Sequence, residues 1–146
     1  MYKHILVSTD GSDLARKGLD HALALARSLG AKLTIITVTE RLPVYAGFDG
    51  GLTALAYSDY TASQRAGGEQ VLADALEAAA GGGVVVETVL IENALPADAI
   101  IATAKARGCD LIAMASHGRR GLGRLVLGSV TAEVLAHSET PVLVVR

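Results

Sequence analysis

The sequence contains few of the residues that mark several common classes of protein. Its 146 residues include one cysteine, no tryptophan, four tyrosines and one phenylalanine, and the formal net charge is −2. The single cysteine, Cys109, excludes an internal disulfide bond, and we expect a buried, unreactive thiol in a reduced compartment. Because the chain lacks both an excess of basic residues and aromatic stacking platforms, we expect no binding to nucleic acid.

Long apolar segments are also missing. No apolar run approaches the roughly 18 residues that a membrane-spanning helix needs, and only Ile5 to Val7 separate the polar start from Ser8. We therefore expect no signal peptide, no contact with a membrane and a cytoplasmic location. With 51% apolar residues, however, the chain can bury a core of its own. We expect a single domain over residues 1–146.

The apolar segments alternate with stretches of helical periodicity, which is typical of a parallel sheet covered by helices on both faces. Ser12 is a predicted N-cap, Gly30 a predicted helix stop, and Pro96 fits the first turn of a helix. Strands are predicted from His4 to Thr9, Lys32 to Thr39, Val84 to Leu90, Asp110 to Ala115 and Pro141 to Val145, and helices from Ser12 to Gly30, Ser63 to Ala80, Pro96 to Gly108 and Gly128 to His137.

One segment, from Glu40 to Ala62, lacks strong periodicity and is long for a connection inside a compact domain. It also contains four of the five aromatic residues, Tyr45, Phe48, Tyr57 and Tyr60. Two interpretations stay open at this point. The segment is either a lid over a ligand or a partner surface, or it covers the sheet edge or extends the second helix.

The most informative segment, from Met114 to Thr131, turns an apolar strand into a glycine-rich loop and then into a helix. Glycines let the backbone approach a ligand closely, and the free N–H groups and dipole of a helix start attract phosphate oxygens. Arg119 and Arg120 add local positive charge, although exposed arginines are often merely solvated. The segment therefore predicts an anion site, and since no G-x-x-x-x-G-K-[ST] sequence is present, it is not a P-loop.

The spacing in this loop resembles the nucleotide-binding signature of the universal stress protein family, Gly-x2-Gly-x9-Gly-Ser/Thr. Gly118 matches the second glycine, and Gly128 and Ser129 close the pattern, whereas Ala115 stands where the family has its first glycine. The resemblance extends along the chain, through Y-K-H-I-L-V-S-T-D-G-S at the start, I-T-V-T-E, L-P-A-D-A-I-I and P-V-L-V-V near the end. Together these segments are specific, whereas the glycine loop alone is weak evidence.

The resemblance implies an α/β fold with three layers, α/β/α, of the Rossmann-like, adenine nucleotide alpha hydrolase-like type. The five-stranded parallel sheet then has the order 3-2-1-4-5, and ligands bind where the strand order reverses. The resemblance also implies a bound adenine nucleotide, ATP, ADP or AMP, with Mg²⁺ held through the phosphates rather than by protein side chains. The predicted nucleotide site comprises Ser8, Thr9, Asp10, Val38, Met114, Ala115, Ser116, His117, Gly118, Arg119, Arg120, Gly128, Ser129, Val130 and Thr131.

Several of these residues also have a simpler interpretation. Asp10 is expected to meet the adenosine part of the nucleotide, but an anion at this position is also typical of a helix cap. Val38 is expected to pack on the adenine, although by itself it would be interpreted as core. Ser129 and Thr131 are predicted to donate hydroxyl hydrogen bonds to phosphate; capping accounts for Ser129 but not for the four glycines of the loop. His117 is predicted to be a loop donor, because the other histidines show no metal-ligand spacing with it.

The residues and the resemblance together indicate an ATP-binding universal stress protein that works as a nucleotide-responsive regulator in the stress response. Turnover needs a positioned base or nucleophile and a charge clamp for the transition state, and no base beyond Asp10 is evident. We therefore expect no enzymatic activity, with weak ATP hydrolysis or adenylate transfer as one alternative. A second alternative is a dimerisation module that binds no nucleotide, with Ala115 as the mark of a lost site.

The last predicted strand, Pro141 to Val145, is apolar and lies close to the end of the sequence. At a sheet edge, its unpaired backbone groups would form a hydrophobic ribbon that invites pairing with a second chain. The family resemblance points the same way. We therefore expect a homodimer built on this strand.

Overall fold

A computed structural model describes residues 1–41, 54–118 and 126–146. Strands and helices alternate along the chain, as the apolar pattern predicts. In chain order the elements are β1 (His4–Ser8), α1 (Asp13–Leu29), β2 (Lys32–Glu40), α2 (Ala54–Ala79), β3 (Val86–Ala94), α3 (Pro96–Arg107), β4 (Leu111–Ala115), α4 (Ser129–His137) and β5 (Val142–Val145).

The five strands form one parallel sheet in the order β3-β2-β1-β4-β5, which confirms the predicted order. On one face, Ile5 of the sheet packs in a buried core with Leu19 of α1 and Leu72 of α2. On the other face, a second core includes Ile100 of α3 and Val134 of α4. The fold is therefore the predicted three-layer α/β/α arrangement.

The central strand, β1, sets the position of a ligand site. Its residue Ile5 pairs with Leu33 of β2 on one side and with Leu111 of β4 on the other. The strand order therefore reverses between β1 and β4. In an open parallel sheet, the crevice beyond the carboxyl ends of the strands at such a point is where ligands bind.

The ends of α1 and α3 follow short-range signals, which is why the sequence predicts them well. The Ser12 side chain accepts a hydrogen bond from the Ala15 backbone N–H at 3.2 Å and is the N-cap of α1. Gly30 and Gly108 end α1 and α3 in the left-handed conformation, with φ of 64° and 67°. Glycine adopts this conformation without the penalty that a Cβ atom would bring.

The second helix is longer than predicted, because it begins at Ala54 rather than at Ser63. Its buried residues all lie in its second half, so the first half lacks the apolar periodicity by which a helix is predicted. Of the two interpretations of the segment from Glu40 to Ala62, extension of the second helix is correct for residues 54–62. Residues 42–53, where a lid or partner surface is the other interpretation, lie outside the described residues.

The third strand is Val86–Ala94 rather than the predicted Val84 to Leu90. As an edge strand it pairs only with β2 and exposes part of its surface. Its last residues include Glu92 and Asn93, which are polar, so no apolar run marks the end of the strand. The alternation of apolar and polar residues along an edge strand, and the burial of those residues, depend on where the strand lies in the sheet. The local sequence does not give this position.

Two further observations concern the expectations drawn from composition. Cys109 is buried, as predicted, and burial raises the pKa of its thiol to about 11. Because the thiolate is the reactive form, this thiol is a poor nucleophile at neutral pH. Within the three described ranges, no helix combines the length and the apolar character that crossing a membrane requires.

Candidate functional site

A cleft lies at the carboxyl ends of β1, β2 and β4, where the strand order reverses. Its volume of about 150 Å³ is below the roughly 300–1,000 Å³ of pockets that hold a whole drug-sized ligand. It is therefore suited to one ring system rather than to a complete nucleotide. We call it the first cleft, and it is lined by Ser8, Thr9, Asp10, Ala15, Ile36, Val38, Glu40, Pro96, Ile100, Met114, Ala115, His117, Gly118, Val130 and Thr131.

A larger cleft of about 650 Å³ continues from the first cleft toward α2. The two clefts share a wall that includes Asp10, Val38, His117 and Gly118. A ligand larger than one ring system can therefore extend from one cleft into the other. We call this space the α2 cleft, and the residues that line it alone are Thr37, Thr39, Tyr60, Ser63, Gln64, Gly67, Gly68, Val71, Val126, Leu127, Gly128 and Ser129.

Asp10 and Gly118 are in close contact in the shared wall. One oxygen of the Asp10 carboxylate accepts a hydrogen bond from the Ser12 backbone N–H at 2.9 Å. Asp10 is not itself the cap of α1, since Ser12 holds that position. A Cβ atom on Gly118 would lie 2.3 Å from the other carboxylate oxygen, Oδ2. A side chain at Gly118 would therefore displace the Asp10 carboxylate from the cleft.

Two hydrogen bonds fix the start of α4 against the end of β4. The Gly128 backbone N–H donates to the Ser116 carbonyl at 2.7 Å, and the Thr131 hydroxyl donates to the Ala115 carbonyl at 2.9 Å. The second bond corrects one prediction, because the Thr131 hydroxyl proton is used inside the protein and is not offered to a phosphate. The bond instead holds the first turn of α4 in place beside the cleft.

The N-terminus of α4 borders the clefts. Gly128 is the N-cap and has no side-chain cap, so Ser129 is the first helical residue rather than the cap. The backbone N–H groups of Ser129, Val130 and Thr131 precede the first intrahelical hydrogen bond, which is the condition for anion binding at a helix start. A Cβ atom on Gly128 would lie 2.9 Å from the Cα atom of His117, so this approach requires glycine.

Ala115, which replaces the first glycine of the family pattern, has an ordinary conformation. It is the last residue of β4 and pairs with Val145 of β5, so its backbone is extended. An extended backbone accepts alanine without strain. The Ala115 backbone lies close to α1, since a Cβ atom on Gly18 of that helix would lie 3.3 Å from the Ala115 nitrogen. The prediction that this position does not need a positive φ is therefore confirmed.

The charged side chains that line the two clefts in the described part of the chain are acidic, namely Asp10 and Glu40. In the same ranges, no group of three His, Cys, Asp or Glu residues is placed to hold a metal ion. The positive electrostatic feature of the described lining is the N-terminal end of the α4 dipole. An anion at this position would be bound chiefly by backbone N–H groups.

Most of the predicted site residues lie at these clefts. Ser116 lines neither cleft: it is buried, and its Oγ lies 3.2 Å from Nδ1 of His117. Arg119 and Arg120 are outside the described residues, so their role stays a prediction. The predicted residues that the structure brings together around the clefts are Ser8, Thr9, Asp10, Val38, Met114, Ala115, His117, Gly118, Gly128, Ser129, Val130 and Thr131.

The sequence does not reveal the apolar wall of the first cleft. This wall includes Ile36, Pro96 and Ile100. Ile36 lies two residues before Val38, and the period-2 alternation of a strand places both side chains on one face of β2. This spacing is a sequence signal that identifies Ile36. The α3 residues reach the cleft only through the packing of α3 on the sheet, which no local pattern announces.

Comparison with known proteins agrees with this geometry. The profile of the Universal stress protein family matches residues 1–146. The chain is 36% identical to Universal stress protein YxiE of Bacillus subtilis over 152 aligned residues, which cover 100% of both chains. A crystal structure of a universal stress protein family member from Burkholderia pseudomallei has 30% identity and a TM-score of 0.76, over 99% of this chain and 96% of that one.

A crystal structure of a universal stress protein in complex with cAMP has 29% identity and a TM-score of 0.68, over 99% of this chain and 97% of that one. The strand order, the glycine-built cleft and these whole-length similarities lead to the same conclusion. This chain belongs to the universal stress protein family.

Proposed function

We propose that this protein binds an adenine nucleotide, ATP with Mg²⁺ before ADP or AMP, and acts as a nucleotide-responsive regulator in the stress response. The observation that carries the proposal is the close approach of Gly118 and Gly128 to their neighbours beside the start of α4, where the cap residue Gly128 has no side chain. Neither contact leaves room for a Cβ atom. Glycine at both positions keeps the backbone beside the cleft open to a ligand.

The adenine ring is assigned to the first cleft. Its volume of about 150 Å³ suits a single ring system, and Val38, Ile36 and Ile100 give it apolar walls. Asp10, in the wall shared with the α2 cleft, is then placed to accept hydrogen bonds from ribose hydroxyls. This arrangement follows the usual composition of cofactor sites, which are mostly apolar with a few placed polar groups.

The phosphates are assigned to the N-terminus of α4. The N–H groups of Ser129, Val130 and Thr131 supply the hydrogen bonds, and the helix dipole supplies partial positive charge. Because Asp10 and Glu40 place negative charge at the same clefts, the phosphates need a counter-charge. We assign this role to Mg²⁺ bound through the phosphates.

We propose a binding function rather than turnover. Phosphoryl transfer relies on a positioned nucleophile and on cations that stabilise the transition state, and the described lining of the clefts contains no lysine or arginine. We also propose a cytoplasmic location, which fits a dependence on ATP and the buried thiol of Cys109. A rate of ATP hydrolysis that rises in proportion to protein and falls in Asp10→Asn would replace this proposal with the hydrolase alternative.

The solved relative in complex with cAMP supports adenine as the base. Native mass spectrometry of the protein as purified tests the proposal. We expect a population of protein whose extra mass equals ATP, ADP or AMP, and we expect this population to disappear in Gly118→Val. A ligand-free spectrum that does not change when Mg²⁺ and ATP are added would contradict the proposal.

We also propose a homodimer formed through β5. This strand pairs with β4 at the edge of the sheet, and Val142, Leu143 and Val144 are only half-buried. An apolar edge strand of this kind is a ready template for a second chain. Light scattering at tens of micromolar protein is expected to give the mass of a dimer, and Val142→Asp with Val144→Asp to give a monomer that still binds ATP. A monomeric mass for the wild-type protein would refute the dimer.

A further inference from the structure

The α2 cleft is larger than the first cleft and differs from it in chemistry. Its volume is about 650 Å³, against about 150 Å³ for the first cleft. It lies where α2 passes over the carboxyl end of β2, beyond the start of α4. An adenine ring in the first cleft and phosphates at α4 would leave the part of the α2 cleft beside α2 to another group.

The part of this cleft beside α2 is uncharged and contains both polar and apolar groups. Tyr60, Ser63 and Gln64 of α2 supply hydroxyl and amide groups, whereas the methyl groups of Thr37 and Thr39 lie toward α2. Asp10 and Glu40, the acidic residues of the described lining, belong to the wall shared with the first cleft. An uncharged lining with both kinds of group is suited to a neutral ligand that carries several hydroxyl groups on an apolar frame.

The α2 side chains keep their hydrogen-bonding capacity for a ligand. Tyr60, Ser63 and Gln64 make no side-chain hydrogen bond to any other residue that the structure describes. Across the cleft, the Thr37 hydroxyl donates to the Thr9 carbonyl and the Thr39 hydroxyl accepts the Asn93 N–H at 3.0 Å. The polar groups on β2 are thus fixed by the fold, and those on α2 are left to pair with what enters.

Two adjacent glycines in the middle of α2 have different reasons to be there. A Cβ atom on Gly68 would lie 2.6 Å from Cδ1 of Leu90 and 3.3 Å from Cγ2 of Thr39, so glycine lets α2 pack closely on the sheet without a shift of the Leu90 side chain. Gly67 has nothing within 4 Å of the same position, and its φ is not left-handed. Glycine inside a helix costs about 1 kcal/mol relative to alanine. The packing of α2 does not explain Gly67, whereas an open cleft wall does, since Gly67 lines the α2 cleft.

We propose that the α2 cleft binds a sugar attached to the terminal phosphate of the nucleotide, so that adenosine diphosphate sugars are preferred over ADP. This inference rests on the proposed function, because it uses adenine in the first cleft and phosphates at α4 as its anchor. The sugar hydroxyls pair with Tyr60, Ser63 and Gln64, and Gly67 provides the space. The protein then distinguishes a conjugated nucleotide from a free one.

Calorimetric titration with ADP and with ADP-glucose tests this inference. ADP-glucose is expected to bind the wild-type protein at least about tenfold more tightly than ADP, which corresponds to about 1.4 kcal/mol. Gly67→Leu fills the α2 cleft and improves helix propensity, so it should keep the affinity for ADP and remove the advantage of ADP-glucose. Ala66→Leu is the matched control, because Ala66 is exposed and lines neither cleft. It should keep the advantage.

The outcomes separate the inference from the proposed function. Equal affinities for ADP and ADP-glucose in the wild-type protein would overturn the inference and leave nucleotide binding intact. An advantage of ADP-glucose that persists in Gly67→Leu would also overturn it, because the sugar would then bind elsewhere. Failure of both ligands to bind would overturn the proposed function, and the inference with it.

Discussion

An aspartate lies next to a strand at each end of the sheet, Asp110 at the amino end and Asp10 at the carboxyl end, and the two have different roles. At the amino end, Asp110 accepts hydrogen bonds from the backbone N–H groups of Lys3 and His4 at 2.8 and 3.0 Å. Burial acts to raise the pKa of Asp110, but these two donors, the backbone N–H of Asp110 itself and the charge of His4 together outweigh it, so the pKa is lowered. Asp110 therefore ties the start of β1 to β4, and it lines neither cleft.

At the carboxyl end, Asp10 uses one carboxylate oxygen to receive the Ser12 N–H, while its other oxygen lies against Gly118 in the cleft wall. The residue type is the same at both ends. The surroundings decide the role, since Asp110 accepts two backbone hydrogen bonds and Asp10 borders the space where strand order reverses. A carboxylate beside a cleft with such a glycine is the better candidate for ligand contact.

Two pairs of glycines, one pair from each end, show a similar contrast. Gly30 and Gly108, which precede strands at the amino end, have φ of 64° and 67° and open space where a Cβ atom would lie. They are needed for their backbone conformation. Gly118 and Gly128, at the carboxyl end, have no left-handed φ but approach their neighbours too closely for a side chain. At these two positions glycine is needed for space, whereas Gly11, which follows β1 at the same end, has a positive φ of 80°.

Substitution of one glycine from each end is the strongest way to break this comparison. Gly118→Val is expected to reduce ATP affinity more than about 100-fold, or about 2.7 kcal/mol, because the new side chain blocks the approach of the nucleotide to the backbone and also displaces Asp10. Its thermal unfolding should stay close to that of the wild type. Gly108→Ala should keep ATP affinity and lose about 1–2 kcal/mol of stability, because alanine is strained in the left-handed region. Calorimetry and chemical denaturation measure the two effects, and the comparison fails if they do not separate.

The two aspartates provide the next test. Asp110→Ala is expected to lower the free energy of unfolding by about 1–3 kcal/mol, because two backbone N–H groups lose a charged acceptor. Asp10→Ala should instead weaken ATP binding about tenfold or more, through loss of the ribose contact. The same two measurements apply. If Asp110→Ala weakens ATP binding as much as Asp10→Ala does, the separation of structural and ligand-facing ends is wrong.

Ala115 gives a smaller effect at the carboxyl end. Since its extended backbone already accepts alanine, Ala115→Gly should only relieve crowding beside the ligand. We expect ATP to bind more tightly by less than about tenfold, or less than about 1.4 kcal/mol. Calorimetric titration of both proteins measures this difference. A gain in ATP affinity of several orders of magnitude would show that the wild-type site binds ATP poorly. It would favour the alternative in which the protein is a dimerisation module that binds no nucleotide.

The smallest expected effect is a pH dependence of stability that comes from the amino end. Burial lowers the pKa of His4 below its usual 6.5, with help from the charge of Lys32, while Glu87 and Asp110 act in the opposite direction. The unfolded chain therefore takes up the proton at a higher pH than the folded protein does. The contribution is complete above pH 6.5 and is lost as the pH falls toward the folded pKa.

Denaturant unfolding at pH 7.5 and pH 5 measures this contribution. In the wild type, the Nε2 atom of His4 lies 2.8 Å from the Thr34 hydroxyl in a buried pair. His4→Gln keeps a polar partner for Thr34 but cannot titrate, so its stability should change less between the two pH values. An equal change in both proteins would contradict the assignment to His4.

The sequence predicts the elements whose signals are local. Ser12, Gly30, Pro96 and Gly108 mark helix ends through capping and backbone conformation, and the structure places all four as predicted. For the first half of α2 the sequence offers helix extension only as one of two open interpretations, and it misses the end of β3. The polar residues of both segments are explained only by their position in the assembled fold. An exposed helix start and an edge strand have no apolar run of their own.

The site divides along the same line. The glycine spacing and Asp10 can be recognised in the sequence, because each is a local feature of the chain. The wall formed by Pro96 and Ile100 and the α2 cleft depend on how helices pack across the sheet. The hydrogen bond donated by the Thr131 hydroxyl also depends on tertiary structure, because its acceptor, the Ala115 carbonyl, belongs to β4.

Calorimetric titration of the wild-type protein with ATP in the presence of Mg²⁺ tests the central claim most directly. We predict saturable binding of one nucleotide per chain in the micromolar range, equivalent to about −8 kcal/mol, with competition by ADP and AMP. The account is contradicted if ATP, ADP and AMP all give no binding heat and none of them raises the temperature at which the protein unfolds.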